Sequence, residues 1–227
     1  MKKEIIVTGK TVDDAVANAA AQLGVAAEDI KYEVIDEPKK GLFGIGAVPA
    51  KINAVYTLKG EEIAFEFVKK LVADMQLNVT LDMRYCPERE GMLIDIQGEG
   101  AGMLIGHHGD TLDSIQYLAN LAANKKIDGE KRAHVKITVD AENYRAKREE
   151  TLRSLARRMA DKVLKYKKSV MLEPMNPYER RIIHSEIQGI AGVSTNSIGS
   201  ENNRKIVIYL EDQKIAAQKK YNEDEEY

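Results

Sequence analysis

The chain holds a single cysteine, Cys86, and no tryptophan. One cysteine excludes an intramolecular disulfide and a thiolate zinc cluster, and it fits a reducing cytoplasm. With only 3 phenylalanines, an aromatic-rich platform for stacking bases is disfavoured. No run approaches the ~20 apolar residues that span a bilayer. The first apolar stretch, Ile5-Ile6-Val7, is cut short by Thr8 and Gly9, which is too brief for the core of a signal peptide. His107, His108, His134 and His184 contain no helical His-x-x-x-His pair, and no zinc spacing appears. Neither a nucleophile–base pairing nor paired carboxylates on one face can be found. The sequence therefore predicts a cytoplasmic protein that is not an enzyme and carries no cofactor or metal.

What is present is an ordinary apolar fraction, 44%, in 227 residues, enough for one large or two to three small domains. The net charge of −2 conceals an uneven distribution. Basic and acidic residues number 8 and 8 in 1–60, 4 and 11 in 61–124, 15 and 7 in 125–168, and 7 and 10 in 169–227. A basic block inside an acidic chain is a candidate footprint for nucleic acid. A solvated helix laced with ion pairs is the alternative.

In chain order, residues 3–8 predict a strand. Thr11 caps a helix with Asp13 and Asp14 in its first turn, and Gly24 ends it. Strands follow over 30–35 and 50–58. Between them lies Lys39-Lys40-Gly41-Leu42-Phe43-Gly44-Ile45-Gly46. A dinucleotide loop would follow a strand and open a helix; here a strand follows. The stretch reads instead as an exposed loop with Leu42 and Phe43 at its tip and Lys39 and Lys40 at its base, a candidate docking point for a partner. In the alternative, both tip side chains fold back on the small sheet.

Beyond Lys59-Gly60, Ile63, Phe67, Leu71 and Met75 repeat every four residues and predict a helix over 61–75. Alternation predicts strands over 77–84 and 92–97. A short helix, Gly106-His107-His108-Gly109, a helix to about Asn124 and a strand over 134–139 complete this segment. Glycines lack the Cβ that blocks approach, and a helix opens with unpaired N–H donors, so such a loop suits a phosphate. From Asp140, expected to cap it, a basic helix runs to about Tyr166, ~40 Å long, with Arg145 and Arg148 in its first turns. A strand is expected over 169–172. Asn176 caps a further helix with Pro177 at its first position. On it Arg180 and His184, four apart, share a face, with Arg181 about a third of a turn away. A segment over 191–197 and a strand over 204–210, opened by Arg204, follow. The end, 213–227, is rich in charge and predicts a disordered tail.

The order α-β-β-α-(Gly-x-x-Gly)-α-β over 60–140 resembles a KH domain of type II topology. Such domains bind single-stranded nucleic acid. The resemblance implies a backbone clamp at Gly106, His107, His108 and Gly109. Ile105, Leu112, Ile115 and the strand bearing Ile94 and Ile96 would wall an apolar groove. The departure is the loop itself, where His107 and His108 replace the Lys or Arg that such loops commonly carry, in an acidic body. Residues 145–212, with Pro174-Met175-Asn176-Pro177-Tyr178-Glu179-Arg180-Arg181-Ile182-Ile183-His184 as the specific part, resemble the domain named for Arg-x-x-x-His, the R-three-H domain. There Arg180 and His184 would hold a phosphate, with Arg181, Arg204, Arg145 and Arg148 as further contacts.

Taken together, the chain is similar to the bacterial Jag family, also called KhpB or EloR. The expected architecture is α+β in three small units: a β-α-β-β unit at 1–58, the KH domain at 60–140 and the R-three-H domain at 141–212. The resemblance implies single-stranded RNA as ligand and a small stand-alone KH protein as partner. It also implies ties to a membrane insertase and to cell-elongation and division proteins; a homodimer is the other assembly considered. A protein-interaction scaffold with a degenerate KH domain is the rival reading.

Overall fold

A computed structural model describes residues 1–39, 48–126, 133–200 and 203–213. Lys40, Leu42 and Phe43 of the expected docking loop lie outside these residues, as does the tail from 214. Lys39 is exposed and pairs with Val48 in an isolated bridge.

The first strand, β1 (Lys2–Gly9), leads into helix α1 (Val12–Leu23). Thr11 Oγ1 accepts from Asp14 N at 3.1 Å while Asp14 Oδ2 accepts from Thr11 N at 3.2 Å, a reciprocal box that satisfies two otherwise unpaired donors. Gly24 ends the helix in the left-handed region at φ 69. Strands β2 (Ile30–Asp36) and β3 (Ala50–Thr57) complete an antiparallel sheet in the order β1-β3-β2. Alternate β3 residues Ala50, Ile52, Ala54 and Tyr56 are buried, as period-two alternation requires. Ile52 and Ala54 form part of the N-terminal core with Ala15 and Ala19 of α1, whereas Tyr56 clusters with Leu58 and Ile63.

No loose linker follows. Helix α2 (Gly60–Asp74) begins almost at once. Leu58 is buried, and a Cβ on Gly60 would sit 2.8 Å from the Ala123 carbonyl oxygen. Tyr56 Oη donates to Glu62 Oε2 at 2.6 Å, the same oxygen that accepts from Lys59 N at 2.7 Å. Burial, followed by this carboxylate, pushes the Tyr56 phenol far above its ordinary range.

A second sheet follows the order β4-β5-β6, from β4 (Thr80–Cys86), β5 (Gly91–Gln97) and β6 (Ile137–Ala141). Short helix α3 (Ala101–Ile105) and helix α4 (Asp110–Ala123) lie between β5 and β6. Two strands begin later than the sequence predicts. Leu77 N still donates to Val72 O at 3.2 Å, so the expected start of β4 belongs to the last turn of α2. At the start of β6, Asn120 of α4 and Asn124 just beyond it pair with the incoming chain. Val135 N and O meet Asn124 Oδ1 and Nδ2, both at 2.8 Å. Ile137 N and O meet Asn120 Oδ1 at 2.9 Å and Nδ2 at 2.6 Å.

Helix α5 (Tyr144–Tyr166) begins three residues later than expected, with Asn143 rather than Asp140 at its cap position. Asp140 is a buried residue of β6, and Glu142 and Asn143 turn the chain with φ values of 53 and 55. A third antiparallel sheet, order β7-β9-β8, comprises β7 (Val170–Met171), β8 (Val193–Ile198) and β9 (Lys205–Leu210). Helix α6 (Pro177–Gln188) opens on Asn176, whose Oδ1 accepts from Glu179 N at 2.9 Å. Leu152, Ala156, Val163, Ile183, Ile187 and Ile208 belong to the core beneath.

By compactness the chain divides into two units. One holds Met1–Leu77, Leu81–Ile94 and Ile115–Thr138; the other holds Asn78–Thr80, Asp95–Ser114 and Val139–Tyr227. The division falls inside the expected KH segment and places the Gly-x-x-Gly loop in the same unit as α5 and α6.

Candidate nucleic-acid interface

The glycine-bracketed loop closes α3 and opens α4. Gly106 has φ 70 and ψ −163, a conformation that side chains disfavour. A Cβ there would lie 2.0 Å from Thr111 Oγ1. Gly109, at φ 91, would place a Cβ 2.9 Å from Tyr144 Cε1. The sequence suggested that these glycines clear space for a ligand. In the structure Thr111 and Tyr144 already fill that space, so the glycines serve the tight packing of the loop itself. His107 is exposed and stacks on His108, with ring centroids 3.9 Å apart and planes at 22°. His108 itself adopts the left-handed region, at φ 53. Its Nε2 lies 4.0 Å from Glu173 Oε2.

The expected apolar groove is largely core. Leu112, Ile94 and Ile96 have no exposed surface and Ile115 is buried, so none of them meets a base. Ile105 is half-buried, and Met103, which the sequence did not single out, is exposed beside the loop.

Several arginines expected to face nucleic acid are committed within the protein. Arg145 Nη2 contacts Asp113 Oδ1 at 2.6 Å, and Arg148 Nε contacts Glu179 Oε1 at 2.7 Å. Arg153 meets Glu149 at 2.7 Å and Glu186 at 2.9 Å. Arg157 meets Glu150 at 3.1 Å and Glu186 at 2.8 Å. The hydrogen bond from Arg153 leads the causes that hold the Glu186 carboxyl below its usual range. Arg145 and Arg148, expected as phosphate contacts, thus act as braces within the protein. Arg158, Lys162 and Lys165 line an exposed surface near the C-terminal end of α5.

Arg180 and Arg204 differ. Among the described residues neither has a carboxylate partner. Arg180 is half-buried and its Nη1 donates to the Met175 carbonyl at 2.6 Å. Burial, and then the charge of Arg204, lower its pKa from the ordinary guanidinium value. His184 shares this electrostatic cluster. Burial first, then Arg180 and Arg204, push its imidazole below the usual histidine range, 6.5. Both ring nitrogens are occupied: Nδ1 meets Thr195 Oγ1 and Nε2 meets Ser197 Oγ at 3.0 Å. His184 thus orients two hydroxyls of β8 and is not an open donor to an anion. The two hydroxyls were missed from sequence, since Thr195 and Ser197 are distant along the chain and only strand pairing brings them to α6. Arg181 is exposed.

Two like charges beside a half-buried imidazole, without a counter-charge in the described residues, favour an anion bound between them. No group of three His, Cys, Asp or Glu among the described residues could hold a metal ion. No described helix is long and apolar enough to cross a membrane.

Comparison with known families matches residues 7–56 to the Jag N-terminus, 61–137 to the KhpA/KhpB KH domain and 150–210 to the R-three-H domain. A protein of Clostridium symbiosum named RNA-binding protein KhpB is 39% identical over 206 residues, covering 91% of either chain. Its namesake in Bacillus subtilis is 36% identical over 212 residues, 91% of this chain and 98% of that one. A longer namesake from Lactiplantibacillus plantarum is 33% identical over 143 residues, 63% of this chain and 41% of that one. The three matched segments follow one another as the three expected units do, and with relatives this similar along most of its length the chain belongs to the KhpB family, which is not a family of enzymes.

Proposed function

We propose that the chain is a cytoplasmic RNA-binding protein that captures single-stranded RNA at its Gly-x-x-Gly loop and at the Arg180–Arg204 cluster. The observation that carries this reading is the cluster itself: two guanidiniums that repel each other, with no carboxylate among the described residues to offset them. A phosphate between them relieves that repulsion and can bond Arg180 bidentately. The names of its relatives support RNA as the polymer. His184 positions the Thr195 and Ser197 hydroxyls beside the same anion. The domain boundaries 1–58, 60–140 and 141–212 belong to this proposal, as does a post-transcriptional role in cell elongation or division. The test is the affinity of the full chain for a short single-stranded RNA over a range of salt. Arg180→Ala and Arg204→Ala are each expected to weaken binding and flatten its salt dependence. Affinity that ignores both variants removes the cluster from the interface.

A second reading concerns partners. Tyr117, Leu118 and Leu121 on α4 are 64%, 47% and 53% exposed, an apolar stripe on an otherwise soluble helix. Such a stripe suits a protein contact. A small stand-alone KH protein or a second copy of the chain is the proposed occupant, and a link to a membrane insertase would act through such a contact. Sedimentation of the chain alone and after Leu121→Glu checks the homodimer.

A further inference from the structure

We propose that the Gly-x-x-Gly loop and Arg180 are the two ends of one cleft that seats a single nucleoside, so that one continuous strand occupies both. This rests on the RNA-binding reading above and adds a register to it.

A cleft of about 230 Å³ lies within the second compact unit. His107, His108 and Asp110 line one side, and the segment Pro174–Pro177 with Glu179 and Arg180 lines the other. Ligand pockets for whole small molecules run roughly 300–1,000 Å³, so this one has room for a single unit of a polymer. Its walls are braced. The Tyr144 ring lies under Gly109, and Arg145 grips Asp113 at 2.6 Å. One turn on, Arg148 grips Glu179 at 2.7 Å. The start of α5 therefore holds the loop and the start of α6 in one arrangement before any ligand arrives.

The chemistry of the lining says which part of a nucleotide enters. Asp110 is an exposed carboxylate at the cleft. Glu179 is 3% exposed, and its Oε2 has no hydrogen-bond partner. Two carboxylates repel a phosphate, so phosphates belong at the ends, one at the loop and one at Arg180 and Arg204. Between them sits a group with hydrogen-bond donors, either the ribose 2′-hydroxyl or a base N–H. The exposed His107 ring, already stacked on His108, can extend its stack onto the base. The loop and the cluster are then about one nucleotide apart along the strand, which is different from two separate weak sites joined by avidity.

The experiment titrates the full chain with an RNA tetranucleotide and with a 20-nucleotide single strand, by calorimetry. One tetranucleotide per chain is expected. His107→Ala and Arg180→Ala should each weaken that tetranucleotide about tenfold, and the double variant should lose less than the product of the two. Arg180→Lys, which keeps the charge, guards against a folding defect and should retain part of the affinity. Two tetranucleotides per chain overturn the single cleft. So does a tetranucleotide indifferent to one of the two variants while the longer strand senses both; the RNA-binding reading survives either result. A wild-type chain that binds neither oligonucleotide overturns both readings. A 2′-deoxy tetranucleotide separates the two donor sources, since loss of affinity assigns the ribose and its retention assigns the base.

Discussion

Arg145, Arg148, Arg153 and Arg157 each lie against a carboxylate, whereas Arg180 and Arg204 have no carboxylate partner among the described residues. The residue type is the same and the consequence is opposite. On α5 the guanidiniums fasten helices and loop together, and their charge is spent inside the protein. At the start of α6 the charge of Arg180 is left over, partly desolvated and disfavoured by the charge of the exposed Arg204. Charge density along a sequence thus says little about where an anion will bind. The fold decides by choosing which cations receive a counter-ion.

The largest test of this contrast is Arg148→Ala. Its partner Glu179 is almost wholly buried and has one carboxylate oxygen unpaired already. Removing one member of a buried ion pair costs about 3–5 kcal/mol, so unfolding in denaturant should shift by that amount. Where the variant remains folded, the salt dependence of RNA binding should not change. A stable variant with a flatter salt dependence would place Arg148 among the phosphate contacts and break the comparison. Arg180→Ala is the converse. Its loss of a charged contact is expected to cost about 1.5–3 kcal/mol of binding and roughly 0.7 of the logarithmic salt slope, read from titrations at two or more salt concentrations.

How far each region was legible follows from the range of the interactions involved. Local signals were clear. The Thr11 and Asn176 caps, Gly24, Pro177 and the four-residue repeat of α2 depend on neighbours within one or two turns, and each appears where its residues predict. Gly-x-x-Gly was recognisable too, but the reason for its glycines was not, because Tyr144 lies 35 residues beyond Gly109 and reaches it only through the turn at Glu142 and Asn143. Strand starts differ from the expectation where alternation continues past a helix end, at Leu77, or where a side-chain amide takes the place of a strand partner, at Val135. Leu112 looked like a groove wall because a helical stripe has the same spacing whether it faces a ligand or the core. The arginine pairs were illegible for the same reason: Arg148 and Glu179 are 31 residues apart.

Smaller in effect is Asn176→Ala. Loss of its cap to Glu179 N should cost about 1 kcal/mol while leaving both Arg180 and Arg204 in place. RNA affinity measured well below the melting temperature should fall by less than it does in Arg180→Ala. An equal loss would mean that the geometry of the first turn of α6, rather than the charge of Arg180, governs capture.

The smallest effect expected is that of pH near neutrality, and its sign follows from the surroundings of His184. Its native pKa is depressed by burial and by the two arginines below the ordinary 6.5. Between the native and ordinary values the unfolded chain binds the proton and the folded chain does not, so stability is fully present above about 6.5 and is lost as pH falls through the native value. His184→Gln should remove that slope, as measured by denaturant unfolding at several pH values between about 5 and 8. Binding runs the other way. A phosphate beside His184 favours its protonated form, so RNA affinity attributable to this group should tighten as pH falls through the histidine range. An affinity that stays level over that range in the wild-type chain, or that tightens as much in His184→Gln, removes His184 from the interface and leaves capture to the charge of Arg180 and Arg204.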